Sequence, residues 1–242
     1  MTFLLCVTFL VAQPAPADIA ASLDTAARTY DIAGVEALLP GLEALPASET
    51  TNALLTRGQL LCAELQRITF EEYPESAVKE RREMGKLIDA HAGAGLLAVE
   101  KMENSSEKYR MKADLIGTRI RSNYRAGKMK GEMKSAVDEA LRLDPANPRA
   151  MVSSAKMLIF NPNASPQELR EGATLLVRAL EIDPSLEQAR LLQAHTRSLL
   201  GEREKAVALW DACLRTNPDC APARRALATK DAAGENGAPN VK

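Results

Sequence analysis

Apolar residues recur at three- and four-residue spacing along nearly the whole chain, the pattern of helices that each bury one stripe. From Asp18 to Tyr30 the stripe is Ile19, Leu23, Ala26, Ala27 and Tyr30. A shorter helix runs through Val35, Leu38, Leu39, Leu42 and Leu45, and Pro40 is expected to interrupt or end it. Ser48 then caps a helix through Leu54, Leu60, Leu61, Leu65 and Ile68. That helix stops before Glu72-Tyr73-Pro74, because a proline pushes the residue ahead of it out of helical geometry. Ser76 is the expected cap of a long helix from Val78 to Met102, with Gly93 and Gly95 inside it. Each glycine costs about 1 kcal/mol relative to Ala, so their presence predicts a close approach or a bend.

Ser105 or Ser106 starts the next helix, through Tyr109, Leu115, Ile116, Ile120 and Tyr124, and Gly127 is expected to break it. A partner helix through Met133, Val137 and Leu141 ends at Pro145. Ala150 to Phe160 follows, then a loop from Asn161 to Pro166 in which Ser165-Pro166 reads as a cap and first-turn proline for Gln167 to Ile182. Leu186 to Leu200 and Glu202 to Arg215 pair about a turn at Gly201; a short helix from Ala221 to Thr229 closes the series, and Asp231 to Lys242 is expected to fray. No segment alternates with period two, so no sheet is predicted.

Three of these helices end on one pattern: Leu143-Asp144-Pro145, Ile182-Asp183-Pro184 and Thr216-Asn217-Pro218, preceded by Ala140-Leu141, Ala179-Leu180 and Cys213-Leu214. The last two prolines are 34 residues apart and the first two 39, the excess matching the loop from Asn161 to Pro166. The fullest copy, Glu187 to Pro218, carries Ala194, Gly201, Ala206, Trp210 and Cys213. On these residues the stretch from Asp114 to Pro218 resembles a tetratricopeptide-repeat protein, in which small residues let paired helices touch and a terminal proline sets the angle to the next pair. The departures are Gln193, Arg197 and Arg121, where apolar, aromatic or small residues are usual. The resemblance implies an all-α fold of antiparallel hairpins stacked as a right-handed solenoid, with the first helix of each hairpin on the concave side.

Composition changes this picture little. Lys and Arg number 31 against 32 Asp and Glu, so no long-range field draws nucleic acid or anionic lipid, and no nucleic-acid partner is expected. Lys128, Lys130 and Lys134 read as a solvated face, as does the mixed-charge run from Lys79 to Glu83, and the methionines read as core filler. Phe3 to Ala12 is almost unbroken apolar and is followed by Ala15-Pro16-Ala17, the form of a secretory signal peptide over residues 1–17, although no Lys or Arg precedes Arg28. This places the protein outside the cytoplasm, secreted or periplasmic, with no membrane-spanning segment in the mature chain. The remaining division is irregular helical hairpins over 18–103, repeats with a capping helix over 104–230, and a tail over 231–242. Cys62, Cys213 and Cys220 remain after cleavage; an odd count is no disulfide framework, though a Cys213–Cys220 bridge is possible. Asn104 and Asn163 head glycosylation patterns that count only in a eukaryotic secretory pathway.

No nucleophile stands beside a base, no glycine-rich phosphate loop is present, and neither His91 nor His195 has a metal-ligand neighbour, so no enzyme activity, cofactor or metal is expected. By the resemblance, the concave face binds a protein or peptide partner in the cell envelope. Its candidates are Thr118, Ser122 and Arg125, then Arg149, Val152 and Lys156, then Gln188, Leu191 and His195, each trio on one helical face. The basic members suit a carboxylate-bearing peptide. The alternatives are a small-molecule component of a transport system, with a pocket near Gly93 and Gly95, and a structural protein that self-associates through the N-terminal hairpins.

Overall fold

The computed structural model describes residues 15–234, and among these every regular element is a helix. The order is α1 (Pro16–Thr29), α2 (Ile32–Glu43), α3 (Glu49–Glu72), α4 (Val78–Val99), α5 (Ser106–Arg119), α6 (Asn123–Leu143), α7 (Pro148–Ile159), α8 (Pro166–Ile182), α9 (Glu187–Leu199), α10 (Arg203–Thr216) and α11 (Ala221–Gly234). The expected signal segment lies almost wholly outside the described residues; Ala15 caps α1 and Pro16 opens it.

Consecutive helices pack as antiparallel hairpins, most extensively α3 on α4, α5 on α6, α7 on α8 and α9 on α10, and each hairpin packs on the next. The odd-numbered helices α1, α3, α5, α7 and α9 also touch their second neighbours, which the even-numbered ones do not do to that extent. The odd helices are therefore the inner layer of a curved stack, and the first helix of each hairpin does face inward as the repeat pattern implied.

The three Asx-Pro closures are the same structure three times over. The backbone N–H of Asp144, Asp183 and Asn217 returns to the carbonyl of Ala140, Ala179 and Cys213 at 3.0, 2.9 and 2.8 Å. The side-chain oxygen of each then accepts the N–H two residues on, from Ala146, Ser185 and Asp219 at 2.9, 3.0 and 3.1 Å. This local turn spends an Asp or Asn side chain in place of the helical bond that proline cannot make. Ala140, Ala179 and Cys213 are fully buried, the close-contact positions the sequence marked. Gly201 turns the last hairpin with φ +77°, and Gly172 lets α8 approach Ile159 of α7, to which an added Cβ would stand at 3.0 Å.

Several boundaries differ from the sequence expectation. Ser48, Ser105 and Ser165 cap α3, α5 and α8, but Ser76 does not cap α4: Ala77 holds that position with no side-chain bond. Pro40 does not end α2, which continues to Glu43 because Leu42, fully buried, anchors the last turn. The break after Leu115 falls at Ile120 to Ser122, not at Gly127. Ile120 is extended, the Ser122 side chain accepts the Arg125 N–H, and Gly127 sits inside α6 with open space around it. The α11 helix runs to Gly234, beyond the expected Thr229. Basic side chains from neighbouring helices close the ends of three consecutive helices. Arg81 reaches the Tyr73 carbonyl after α3 (2.7 Å), Lys108 the Met102 carbonyl after α4 (2.7 Å) and Arg67 the Ile120 carbonyl after α5 (2.9 Å).

The two ends of the arc meet. Tyr30, just after α1, donates its hydroxyl to Glu187 of α9 at 2.7 Å. Asn217 donates to the Arg28 carbonyl at 3.0 Å, and Arg225 of α11 pairs with Glu72 of α3 at 3.3 Å. The inner side is thus spanned by the chain itself instead of lying open.

Candidate functional site on the inner wall

The inner wall holds a connected set of charged groups. Asp114, midway along α5, is buried; one carboxylate oxygen accepts from Arg110 at 3.1 Å, one turn back. The other accepts from Ser153 at 2.9 Å and Lys156 at 3.1 Å, both on α7. Lys156 also reaches Oε1 of Glu64 on α3 at 3.3 Å, and Gln188 of α9 donates to that same oxygen at 3.3 Å. Arg110 is held further by Glu107. Burial pushes the Asp114 carboxyl up, but Lys156 and Arg110 outweigh it and hold it below the usual carboxylate range. Burial likewise pulls Lys156 down, and Asp114 and Glu64 outweigh that and hold it above its ordinary value.

The nine sequence candidates separate. Lys156 and Gln188 come together from α7 and α9 on one carboxylate oxygen. His195, two turns along α9 from Gln188, is half-buried and stacks on the Phe160 ring with centroids 5.6 Å apart. Burial lowers its pKa, opposed by Glu71 of α3. Leu191 packs into the cluster of Cys213, Cys220 and Ala223, and Arg149 is exposed at the start of α7. The others are not surface groups of one groove. Val152 is core, and Thr118 is buried with its hydroxyl on the Leu115 carbonyl at 2.8 Å. Ser122 is the cap of α6, and Arg125 forks onto Asp89 of α4 at 2.8 and 2.9 Å beside Arg121. The first trio fails as a face because the chain leaves the helix between Thr118 and Ser122.

Glu64, Asp114, Arg110 and Ser153 were missed. Arg110 and Asp114 stand one turn apart on the buried side of α5, a paired-charge signal that can be read in sequence. Nothing local to Glu64 marks it, since its partners lie 92 and 124 residues away.

Elsewhere, an open hollow of about 600 Å3 between α5 and α6 is lined by Tyr109, Lys112, Glu132, Asp138 and Arg142. Its charges are engaged by neighbours: Lys112 with Glu100, Lys134 with Asp138, Arg142 with Glu139. Gly93 faces open space, and Gly95 faces Leu115 and Gln59. Cys62, Cys213 and Cys220 are free thiols, so no Cys213–Cys220 bridge is present. All three are buried, and burial pushes Cys62 up to about 12 and Cys213 up to about 11. Among the described residues no group of His, Cys, Asp and Glu could hold a metal ion, and no helix is long and apolar enough to cross a membrane.

No family model matches the chain, and no curated protein matches it. Among solved structures it is similar to YrrB, described as a TPR protein with an unusual peptide-binding site. The two are 14% identical over 88% of this chain and 98% of that one, with a TM-score of 0.40.

Proposed function

We propose that this chain is an exported helical-repeat scaffold that holds a carboxylate-bearing segment of a protein partner against the wall formed by α7 and α9. The observation that carries the reading is the convergence of Lys156 and Gln188, donors from successive hairpins, on one oxygen of the Glu64 carboxylate. The wall is thereby a carboxylate receptor in the closed chain, with Glu64 in the place of the ligand. A lysine supplies a point charge and the amide a directed donor, and bonds of this kind to a charged acceptor contribute about 1.5–3 kcal/mol.

The test is a fluorescence-anisotropy titration of the full mature chain with a labelled pentaglutamate peptide, and with pentaglutamine as the uncharged control. Gln188 is exposed, so Gln188→Glu leaves the fold intact while replacing a donor by a second carboxylate. Pentaglutamate binds the native chain and binds Gln188→Glu at least tenfold more weakly, about 1.4 kcal/mol. Equal affinity in the two chains, or equal affinity for the two peptides, sinks the reading.

Export is supported by the apolar run from Phe3 to Ala12 and the small residues at Ala15 and Ala17. Cleavage after Ala17 removes only the cap and the first two residues of α1. N-terminal sequencing of the chain recovered from its native host is expected to begin at Asp18. Recovery of a cytoplasmic chain beginning at Met1 contradicts it.

A further inference from the structure

Tyr30 belongs to two cores at once. It packs on the N-terminal cluster of Ile19, Leu23 and Val35 and on the C-terminal cluster of Cys213, Cys220 and Ala223. Its hydroxyl donates to Glu187 Oε1 at 2.7 Å, while Glu187 Oε2 accepts from Asn217 at 2.7 Å, and the same Asn217 amide donates to the Arg28 carbonyl at 3.0 Å. Tyr30 is also the one non-glycine residue with positive φ among those described, at 56°. An aromatic side chain is held in that left-handed conformation only where its surroundings fix it.

The joint that Tyr30 makes is narrow. Neither α1 nor α3 packs along its length against α7, α9 or α11. What crosses the gap is a set of side chains: Tyr30 and Asn217 at one point, Glu72 to Arg225 at another, and Glu64 to Lys156 and Gln188 between them. Two of the crossing carboxylates, Glu64 and Glu72, stand on the same helix, α3, about two turns apart. Partly exposed ion pairs hold weakly by themselves, so the aromatic anchor is the strongest of the direct links between the first helices and the C-terminal hairpin.

We infer that Tyr30 is the pin of an intramolecular latch that keeps the carboxylate-binding wall of α7 and α9 occupied by α3, so that a partner's carboxylate and the closed latch exclude one another. This inference rests on the proposed function for its ligand, though not for its structural part. Withdrawing Tyr30 frees the C-terminal hairpin from α1, lifts Glu64 from Lys156 and Gln188, and opens the arc.

Trp210, the single tryptophan of the chain, packs against the cluster that receives Tyr30 and so reports the joint directly. In the full mature chain, Tyr30→Ala is expected to move Trp210 emission to longer wavelength and to raise the radius of gyration measured by small-angle X-ray scattering. Helical circular dichroism is retained and pentaglutamate binds about fivefold more tightly. Tyr30→Phe keeps the ring in both clusters and removes only the hydroxyl bond to Glu187, so it is expected to move emission and scattering in the same direction by a smaller amount; this variant decides the matter should Tyr30→Ala lose its helical signal. Unchanged scattering and emission in these variants overturn the latch. Opening without a gain in affinity, in a chain whose Glu64→Gln variant does bind the peptide more tightly, overturns the link between latch and wall. Should no variant bind pentaglutamate, the proposed function falls, and the latch is judged on scattering and emission alone.

Discussion

Replacing Asp114 by alanine is expected to lower the free energy of unfolding by about 3–5 kcal/mol, a large part of the roughly 5–15 kcal/mol that holds a domain folded. The carboxylate is buried and takes Arg110, Ser153 and Lys156. Removing it leaves the Arg110 guanidinium with Glu107 alone and Lys156 with the more exposed Glu64 alone, and two buried cations that are only partly compensated cost more than the lost pairs were worth. The loss is read from urea unfolding at neutral pH. Its pH dependence has a definite sign. Asp114 has its folded pKa depressed, so its contribution is complete above the unfolded value, about 3.9, and fades as pH falls through the lower folded value. The gap between native and Asp114→Ala therefore narrows below about pH 4. A loss under about 1 kcal/mol at neutral pH means the network does not hold α5 to α7.

Gly95 and Gly93 are expected to respond in opposite directions to the same change. Helix propensity alone favours alanine at both by about 1 kcal/mol. At Gly93 nothing lies within 4 Å of the added methyl, so Gly93→Ala stabilises by about 0.4–1 kcal/mol. At Gly95 the methyl meets Leu115 Cδ2 at 2.6 Å and Gln59 Cβ at 3.2 Å. Leu115 is fully buried and has nowhere to turn, so Gly95→Ala destabilises by about 1–3 kcal/mol through overpacking between α3, α4 and α5. Thermal unfolding of the two variants beside the native chain checks both signs. Stabilisation at Gly95 shows that α5 is not seated against α4 as described.

Which parts of this were legible in the sequence follows from the range of the forces. The Asx-Pro turns, the serine caps at 48, 105 and 165 and the glycine at 201 are decided within a few residues, so their residue types announce them. The boundary between α5 and α6 was misplaced because two local signals competed. Gly127 reads as a breaker, but its cost of about 1 kcal/mol is outweighed by the burial of Met133 and Val137 further along α6. Ser122, read as a surface residue, is the cap. The inner wall was half legible. Lys156 and Gln188 were concave-face candidates by the resemblance to tetratricopeptide repeats, and in the structure both donate to Glu64. That α3 lies across them depends on the curvature summed over four hairpins, which no single repeat specifies. The concave face was expected to bind a partner; two of its candidate donors, Lys156 and Gln188, already hold a carboxylate of the same chain.

The measurement that tests this most directly is the pentaglutamate titration repeated on Glu64→Gln. The substitution keeps the size of the side chain and leaves Lys156 paired with Asp114, so the wall stays built while its resident charge is gone. A partly exposed ion pair contributes up to about 1 kcal/mol, and the account predicts that Glu64→Gln binds the peptide about fivefold more tightly than the native chain, with Gln188→Glu reversing the gain. Equal or weaker binding by Glu64→Gln contradicts the claim that Glu64 occupies the partner's place.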